Sequence, residues 1–358
     1  MPACLVKRRG HPQHWQRQPE GNSAGRLPWF PRTGARITKE PGSIFRPGMQ
    51  PCFQHHMMTT RPLGRTGFNA SRIGIGDIAD RNVPLAECVR TLHRAMDFDL
   101  NLIDTAPGYE SGYSEEIVGA ALKGRRDGMF VIDKVDNLLD PVAPQVDASL
   151  KVLGIDHTDM FAFHAVSEMD VWENLAAPGG GMDQLQDCVR AGKTRFRGIS
   201  SHNPEVLLAA LGSGLCDVVM FPVGPFVDPR YVEQVLPLAR QKGVGTVCFK
   251  TFGAGKLLGD TTGYNQPLQV RPRGKFSSGG AKSGSPELPC LSVGECLRYT
   301  LTIDPDVALL GMSFPNEQDA AMEAFKAFRP LGAGEISDIR RRAEVAIQGK
   351  GACWWNPG

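Results

Sequence analysis

The stretch Met129-Phe130-Val131-Ile132-Asp133-Lys134-Val135 decides how this chain is read. Its apolar residues run without a break before meeting two charges. A strand with one face in water alternates apolar and polar residues, whereas a continuous run marks a strand covered on both faces, as in a parallel sheet. Seven further stretches of this kind flank it: Arg72–Gly76, Asn101–Ala106, Asp159–Ala165, Phe196–Ser201, Asp217–Val223, Gly245–Thr251 and Val307–Met312. Amphipathic stretches lie between them, at Leu85–Asp97, Ser114–Leu122, Val142–Leu153, Met182–Ala191, Pro204–Leu211, Pro229–Gln241, Ser292–Leu301 and Pro315–Phe325. Ser114 stands ahead of two glutamates, and Asn203-Pro204 and Asp228-Pro229 each set a capping side chain before proline, so all three predict helix starts. Eight strand–helix units over roughly 260 residues predict a (β/α)8 TIM barrel. A doubly wound sheet is the alternative, but Gly74-Ile75-Gly76 lacks the third glycine of the dinucleotide fingerprint.

The chain has 358 residues, 41% of them hydrophobic, and a formal net charge of +2. That total averages two unlike parts. Residues 1–57 carry nine Lys/Arg against two acids, a charge of +7, which leaves −5 for residues 58–358. The first segment also holds 8 of the 27 prolines and shows no lasting periodicity, so it has no face to bury. It is expected to be a disordered basic extension, or sequence preceding a start at Met57 or Met58. No apolar run follows Lys7-Arg8-Arg9, which argues against an export signal. Residues 58–349 are expected to form the barrel and residues 350–358 a C-terminal tail. The near-neutral total argues against a dedicated nucleic-acid binder, and no stretch of about 20 apolar residues predicts a membrane span. Nine cysteines without a C-x-x-C pair fit reduced thiols in a cytoplasmic protein.

In such a barrel, catalytic groups stand at or just after the C-terminal ends of strands. Those positions hold Asp104, Lys134 and His164, with Tyr109 in the loop after the second strand. Each alone has a plain structural reading: a loop cap, a strand-end lysine reaching water, a hydrogen-bonded core histidine. Together, on adjacent strands, they converge on one pocket. A phenol with its ordinary pKa of about 10 is a poor acid at neutral pH, and a neighbouring ammonium favours its ionised form. A carboxylate holds the lysine, and a histidine orients a carbonyl oxygen. The set supports general-acid chemistry at a polarised carbonyl, which lacks only a hydride donor.

Asp104-Thr105-Ala106-Pro107-Gly108-Tyr109, followed by Tyr113-Ser114-Glu115-Glu116-Ile117-Val118-Gly119, resembles the signature of the aldo-keto reductase superfamily. Leu63-Gly64-Arg65-Thr66-Gly67 resembles its opening hairpin, and the likeness covers about residues 61–348. The resemblance implies NAD(P)H-dependent interconversion of carbonyls and alcohols, with Tyr109 as proton donor, Asp104 and Lys134 tuning it and His164 orienting the substrate. It also places Ser200 and Ser201 where the family holds the nicotinamide carboxamide, with Ser201 in place of asparagine, and Met220 where a glutamine is usual. The segment containing Phe252, Gly253, Gly255 and Leu257 corresponds to the one beside the pyrophosphate. Gly311, Ser313, Glu317 and Gln318 correspond to the adenosine-binding turn. No cation stands in that turn; Arg271, Arg273, Lys275 and Lys282 of the long loop are candidates to meet a 2′-phosphate, whereas Glu317 facing the ribose would favour NAD. NADPH is the expected cofactor, with NADH as the alternative. Neither a metal site nor an iron–sulfur centre is expected, since the C-terminal end holds only Cys353. The expected partner is a small-molecule carbonyl substrate. The rival readings are a cofactor-binding barrel acting as a redox sensor or partner subunit, and a cofactor-independent lyase or isomerase.

Overall fold

The computed structural model describes residues 58–76, 78, 81–258 and 289–356. The basic extension and the loop cations Arg271, Arg273, Lys275 and Lys282 lie outside these residues. A two-stranded hairpin, β1 (Thr60–Pro62) and β2 (Asn69–Ser71), precedes eight parallel strands. These are β3 (Ile73–Gly76), β4 (Leu102–Asp104), β5 (Phe130–Val135), β6 (Thr158–Phe163), β7 (Thr194–Ser200), β8 (Val218–Pro222), β9 (Gly245–Phe249) and β10 (Val307–Leu310). They pair in sequence order, and β10 pairs back onto β3, closing the barrel. The TIM barrel read from the sequence is therefore the fold of these residues.

Strand parity separates two kinds of core. Leu102, Phe130, Ile132, Met160, Ala162, Val218, Met220, Val247, Val307 and Leu309 fill the barrel, together with Leu63 and Ala70 of the hairpin segment. Alternate residues such as Ile103, Val131, Phe161 and Val219 face the helices instead. Because side chains alternate along a strand, residues two beyond an inward apolar residue also point inward. Asp104 follows Leu102, Lys134 follows Ile132 and His164 follows Ala162, so the pleat delivers all three to the same end of the barrel.

The helices are α1 (Leu85–Asp97), α2 (Tyr113–Leu122), α3 (Val142–Leu153), α4 (Met169–Ala176), α5 (Gly181–Arg190), α6 (Pro204–Ser213), α7 (Leu236–Lys242), α8 (Val293–Ile303), α9 (Pro315–Lys326) and α10 (Ala333–Ile347). Asn203 caps α6 as expected, its side chain accepting from the Glu205 amide at 2.9 Å. Ser114 does not cap α2: the helix begins at Tyr113, and Ser114 is buried inside its first turn, accepting from the Thr105 hydroxyl at 2.9 Å. The expected helix Pro229–Gln241 begins at Pro229 as expected and passes through a π-helical turn, Tyr231–Val235, before α7. Neither α4 nor α10 is among the expected elements. Among the described residues no helix is long and apolar enough to cross a membrane.

Candidate active site

Lys134 Nζ donates to Asp104 Oδ1 at 2.6 Å and to the Thr105 carbonyl at 2.7 Å. Its ammonium also stands 4.5 Å from the centre of the Tyr109 ring. Tyr109 in turn meets His164 edge to face, with ring centres 5.4 Å apart. The four residues expected from the strand ends are thus gathered in one place. Backbone strain surrounds them: Glu110 and Ser111, directly after Tyr109, have φ of 48° and 52°, and Ala165, directly after His164, has φ of 55°. Non-glycine residues hold such angles where neighbours enforce them, and these concentrate at functional sites. The neighbours are present here. Arg81 donates to the Glu110 carbonyl at 2.6 Å and the Ser111 carbonyl at 3.0 Å, and Ser200 Oγ accepts from the Ala165 amide at 2.8 Å.

Asp136 belongs to this group. It lies two residues beyond Lys134, just past the end of β5. Its Oδ1 is 2.6 Å from His164 Nδ1, and its Oδ2 accepts from the Gly108 amide at 2.6 Å. Burial opposes ionisation of this carboxyl, but the His164 hydrogen bond and charge, with the Gly108 N–H, outweigh it and hold it below the usual carboxylate range. Behind Lys134, the outward-facing Asp133 is fully buried opposite Glu115 of α2. Burial, reinforced by the Glu115 charge, pushes the Asp133 carboxyl well up; burial also raises Glu115. Asp133 Oδ2 and Glu115 Oε1 find no hydrogen-bond partner among the described residues.

The expected cofactor residues fall into three groups. On the nicotinamide side, Ser201 Oγ is engaged with the Asn203 backbone, donating to its carbonyl at 3.3 Å and accepting from its amide at 3.0 Å. Met220 lies 1% exposed within the barrel core and offers no amide. His202, absent from the sequence reading, has a buried Nε2 with no partner among the described residues. Its ring lies 5.2 Å from that of Phe249, and burial, then the Lys250 and His164 charges, push its pKa down to about 3. Thr251 Oγ1 is likewise buried and unpartnered.

In the second group, the Phe252 and Leu257 side chains pack into the core. The backbone of this segment turns through Gly253 and Gly255, with φ of 55° and 84°. The C-terminal residues pin it: Lys256 Nζ donates to the Ala352 carbonyl at 2.5 Å, Lys350 Nζ to the Lys256 carbonyl at 2.8 Å, and the fully buried Trp355 through Nε1 to the Phe226 carbonyl at 2.9 Å.

In the third group, Gly311 is exposed and Ser313 half-buried at the end of β10. Glu317 is buried and accepts from the Phe314 amide at 3.2 Å, capping α9. Gln318 donates to the Thr91 carbonyl at 2.8 Å and accepts from Arg94, which also donates to the Pro315 carbonyl at 2.9 Å. Arg94 of α1 therefore reaches this turn from outside its own sequence, and its guanidinium is also paired with Asp319 of α9. No cluster of three or more potential metal-ligating side chains occurs among the described residues.

A sequence profile of the aldo/keto reductase family matches residues 71–340. The chain is 27% identical over 234 residues to the NADH-specific methylglyoxal reductase of Escherichia coli (strain K12), a match covering 56% of this chain and 69% of that protein. It is 31% identical over 215 residues to the aldo-keto reductase YhdN of Bacillus subtilis (strain 168), covering 55% of this chain and 63% of that one. Among solved structures, the holo form of the aldo-keto reductase AKR11C1 from Bacillus halodurans aligns with a TM-score of 0.62 at 24% identity, covering 82% of this chain and 98% of the other. An aldo-keto reductase from Klebsiella pneumoniae in complex with NADPH aligns with a TM-score of 0.59 at 19% identity, covering 80% and 95%. At these identities the structural likeness concerns the fold.

Proposed function

The chain belongs to the aldo/keto reductase family, and we propose on that premise that it reduces an aldehyde or ketone to an alcohol with Tyr109 as the proton donor. The convergence of Lys134 on Asp104 and on the Tyr109 ring, with His164 at its edge, carries this reading. NAD(P)H, when bound, supplies the hydride. Tyr109 gives its proton to the carbonyl oxygen as that oxygen gains charge. The Lys134 ammonium over the ring stabilises the negative charge left on the phenol oxygen, and Asp104 keeps that ammonium fixed and charged. His164 orients the carbonyl.

The residues present fit a nicotinamide dinucleotide. Two buried polar atoms at the strand ends, His202 Nε2 and Thr251 Oγ1, have no partner among the described residues. The left-handed turns at Gly253 and Gly255 shape the segment that corresponds to the pyrophosphate neighbour, their own amides donating to the Lys250 and Phe252 carbonyls. His202 takes over the carboxamide contact that Ser201 and Met220 do not offer. NADPH is the preferred form in this reading, and NADH is the competitor to be measured against it. The substrate is a small carbonyl compound, and the setting is cytoplasmic, in keeping with cysteines that are all free among the described residues.

Titration of the full chain with NADPH and NADH, followed by a panel of aldehydes and ketones, tests the reading. Binding of either cofactor with its consumption by a carbonyl is the expected result. Binding without consumption would favour the sensor reading, and absence of binding would remove both.

A further inference from the structure

We propose that Asp136 is a positioning residue that sets the tautomer of His164, so that His164 donates a hydrogen bond to a carbonyl oxygen only when its ring is charged. This rests on the carbonyl-reductase reading above. The geometry is specific to one carboxylate with two tasks. Its Oδ1 meets His164 Nδ1 and its Oδ2 meets the amide of Gly108, the residue before Tyr109, both at 2.6 Å. A Cβ at position 108 would stand 2.6 Å from that same Oδ2, so glycine there leaves the carboxylate where it is.

A carboxylate can only accept, so the Nδ1 facing it carries a hydrogen. In the neutral ring the remaining nitrogen, Nε2, is then a bare acceptor. A carbonyl oxygen is an acceptor too, and neutral His164 cannot hold it. The imidazolium donates from both nitrogens and can. In the reverse direction the alcohol's one O–H passes to ionised Tyr109, while charged His164 still donates to the same oxygen. Carbonyl reduction therefore requires charged His164. Among the described residues the titratable and charged groups around the pair are these: the Tyr109 ring meets His164 edge to face, Lys134 and Glu115 interact with the charge of Asp136, and His202, with Lys250 beside it, feels the charge of His164.

Asp136→Asn reverses the logic with little change in shape. Its amide oxygen still accepts from Gly108, while its N–H₂ donates to Nδ1 and moves the neutral ring's hydrogen to Nε2. Two measurements test the proposal. In kcat/KM against pH, wild-type reduction should show an alkaline limb that falls about tenfold per pH unit. Asp136→Asn should lose that limb. Gly108→Ala, which displaces the carboxylate without removing it, should weaken the same limb and covers the case in which Asp136→Asn fails to fold. Independently of turnover, ¹⁵N–¹H spectra of histidine-labelled protein should show the Nδ1–H tautomer for neutral His164 in the wild type and Nε2–H in Asp136→Asn. An Nε2–H tautomer in the wild type, or identical pH limbs in wild type and variants, would overturn the proposal. Failure of the wild type to consume NADPH or NADH with any carbonyl would remove the reductase reading and leave the tautomer measurement to decide this one.

Discussion

Lys134 Nζ and Asp104 Oδ1 are 2.6 Å apart, with only 1% and 2% of their side chains exposed. Such a pair is far more costly to break than to replace, because removing one partner leaves a buried charge alone. Asp104→Leu is expected to destabilise the barrel by about 3–5 kcal/mol. Adding Lys134→Met should recover most of that loss while leaving the protein inactive. Denaturant unfolding of the two variants checks both statements.

The Asp133–Glu115 pair predicts an alkaline weakness. Burial, with the Glu115 charge, raises the folded-state pKa of Asp133 above its unfolded value, so the folded protein binds more protons than the unfolded chain between the two. The stability this contributes is fully present below the unfolded carboxylate range and is lost as pH rises through the raised one. Asp133→Asn removes the titration and should raise stability at pH 8 more than at pH 5, as measured by thermal unfolding at both. An equal gain at the two pH values would contradict it.

Trp355 is wholly buried, hydrogen-bonded to the Phe226 carbonyl and packed near Gly253. Trp355→Ala is expected to cost about 3–5 kcal/mol of stability. Because the same C-terminal residues anchor the Gly253–Leu257 segment, NADPH affinity should fall as well. Calorimetric unfolding and fluorescence titration report the two effects separately.

His202 offers its unpartnered Nε2 where Ser201 and Met220 offer nothing. Replacement by Phe should weaken NADPH binding roughly two- to tenfold, the range of one lost hydrogen bond. His202→Gln, which can place an amide near the same point, should retain most of the affinity. Equal binding by all three proteins would remove His202 from the cofactor site.

Much of this was legible in the residues themselves. α1 and α3 begin and end where their apolar spacing predicts, and all eight strands appear, though mostly shorter than expected. Asn101–Ala106 shrinks to Leu102–Asp104 because strand pairing stops where the chain turns into the loop carrying Tyr109. α10 escaped because its buried stripe includes two alanines, Ala343 and Ala346, among many charges; α4 is a short helix outside the eight-unit repeat. At the site, Asp104, Lys134 and His164 were readable because each is the polar residue that closes an apolar run. Asp136 lies on the same parity as Lys134, and that signal was available, but it stands beyond the strand among loop residues. His202 carried no signal: an unpartnered atom is a property of packing, which sequence spacing does not report.

Single-turnover reduction by NADPH-loaded protein, with wild type and Tyr109→Phe compared on the same carbonyl, tests Tyr109 as the proton donor. One alcohol should form per NADPH oxidised in the wild type. In the variant the rate should fall by about 10²–10⁴, the usual worth of a positioned general acid, with NADPH affinity unchanged. Equal rates in the two proteins, or NADPH held but never oxidised by any carbonyl in the wild type, would contradict it.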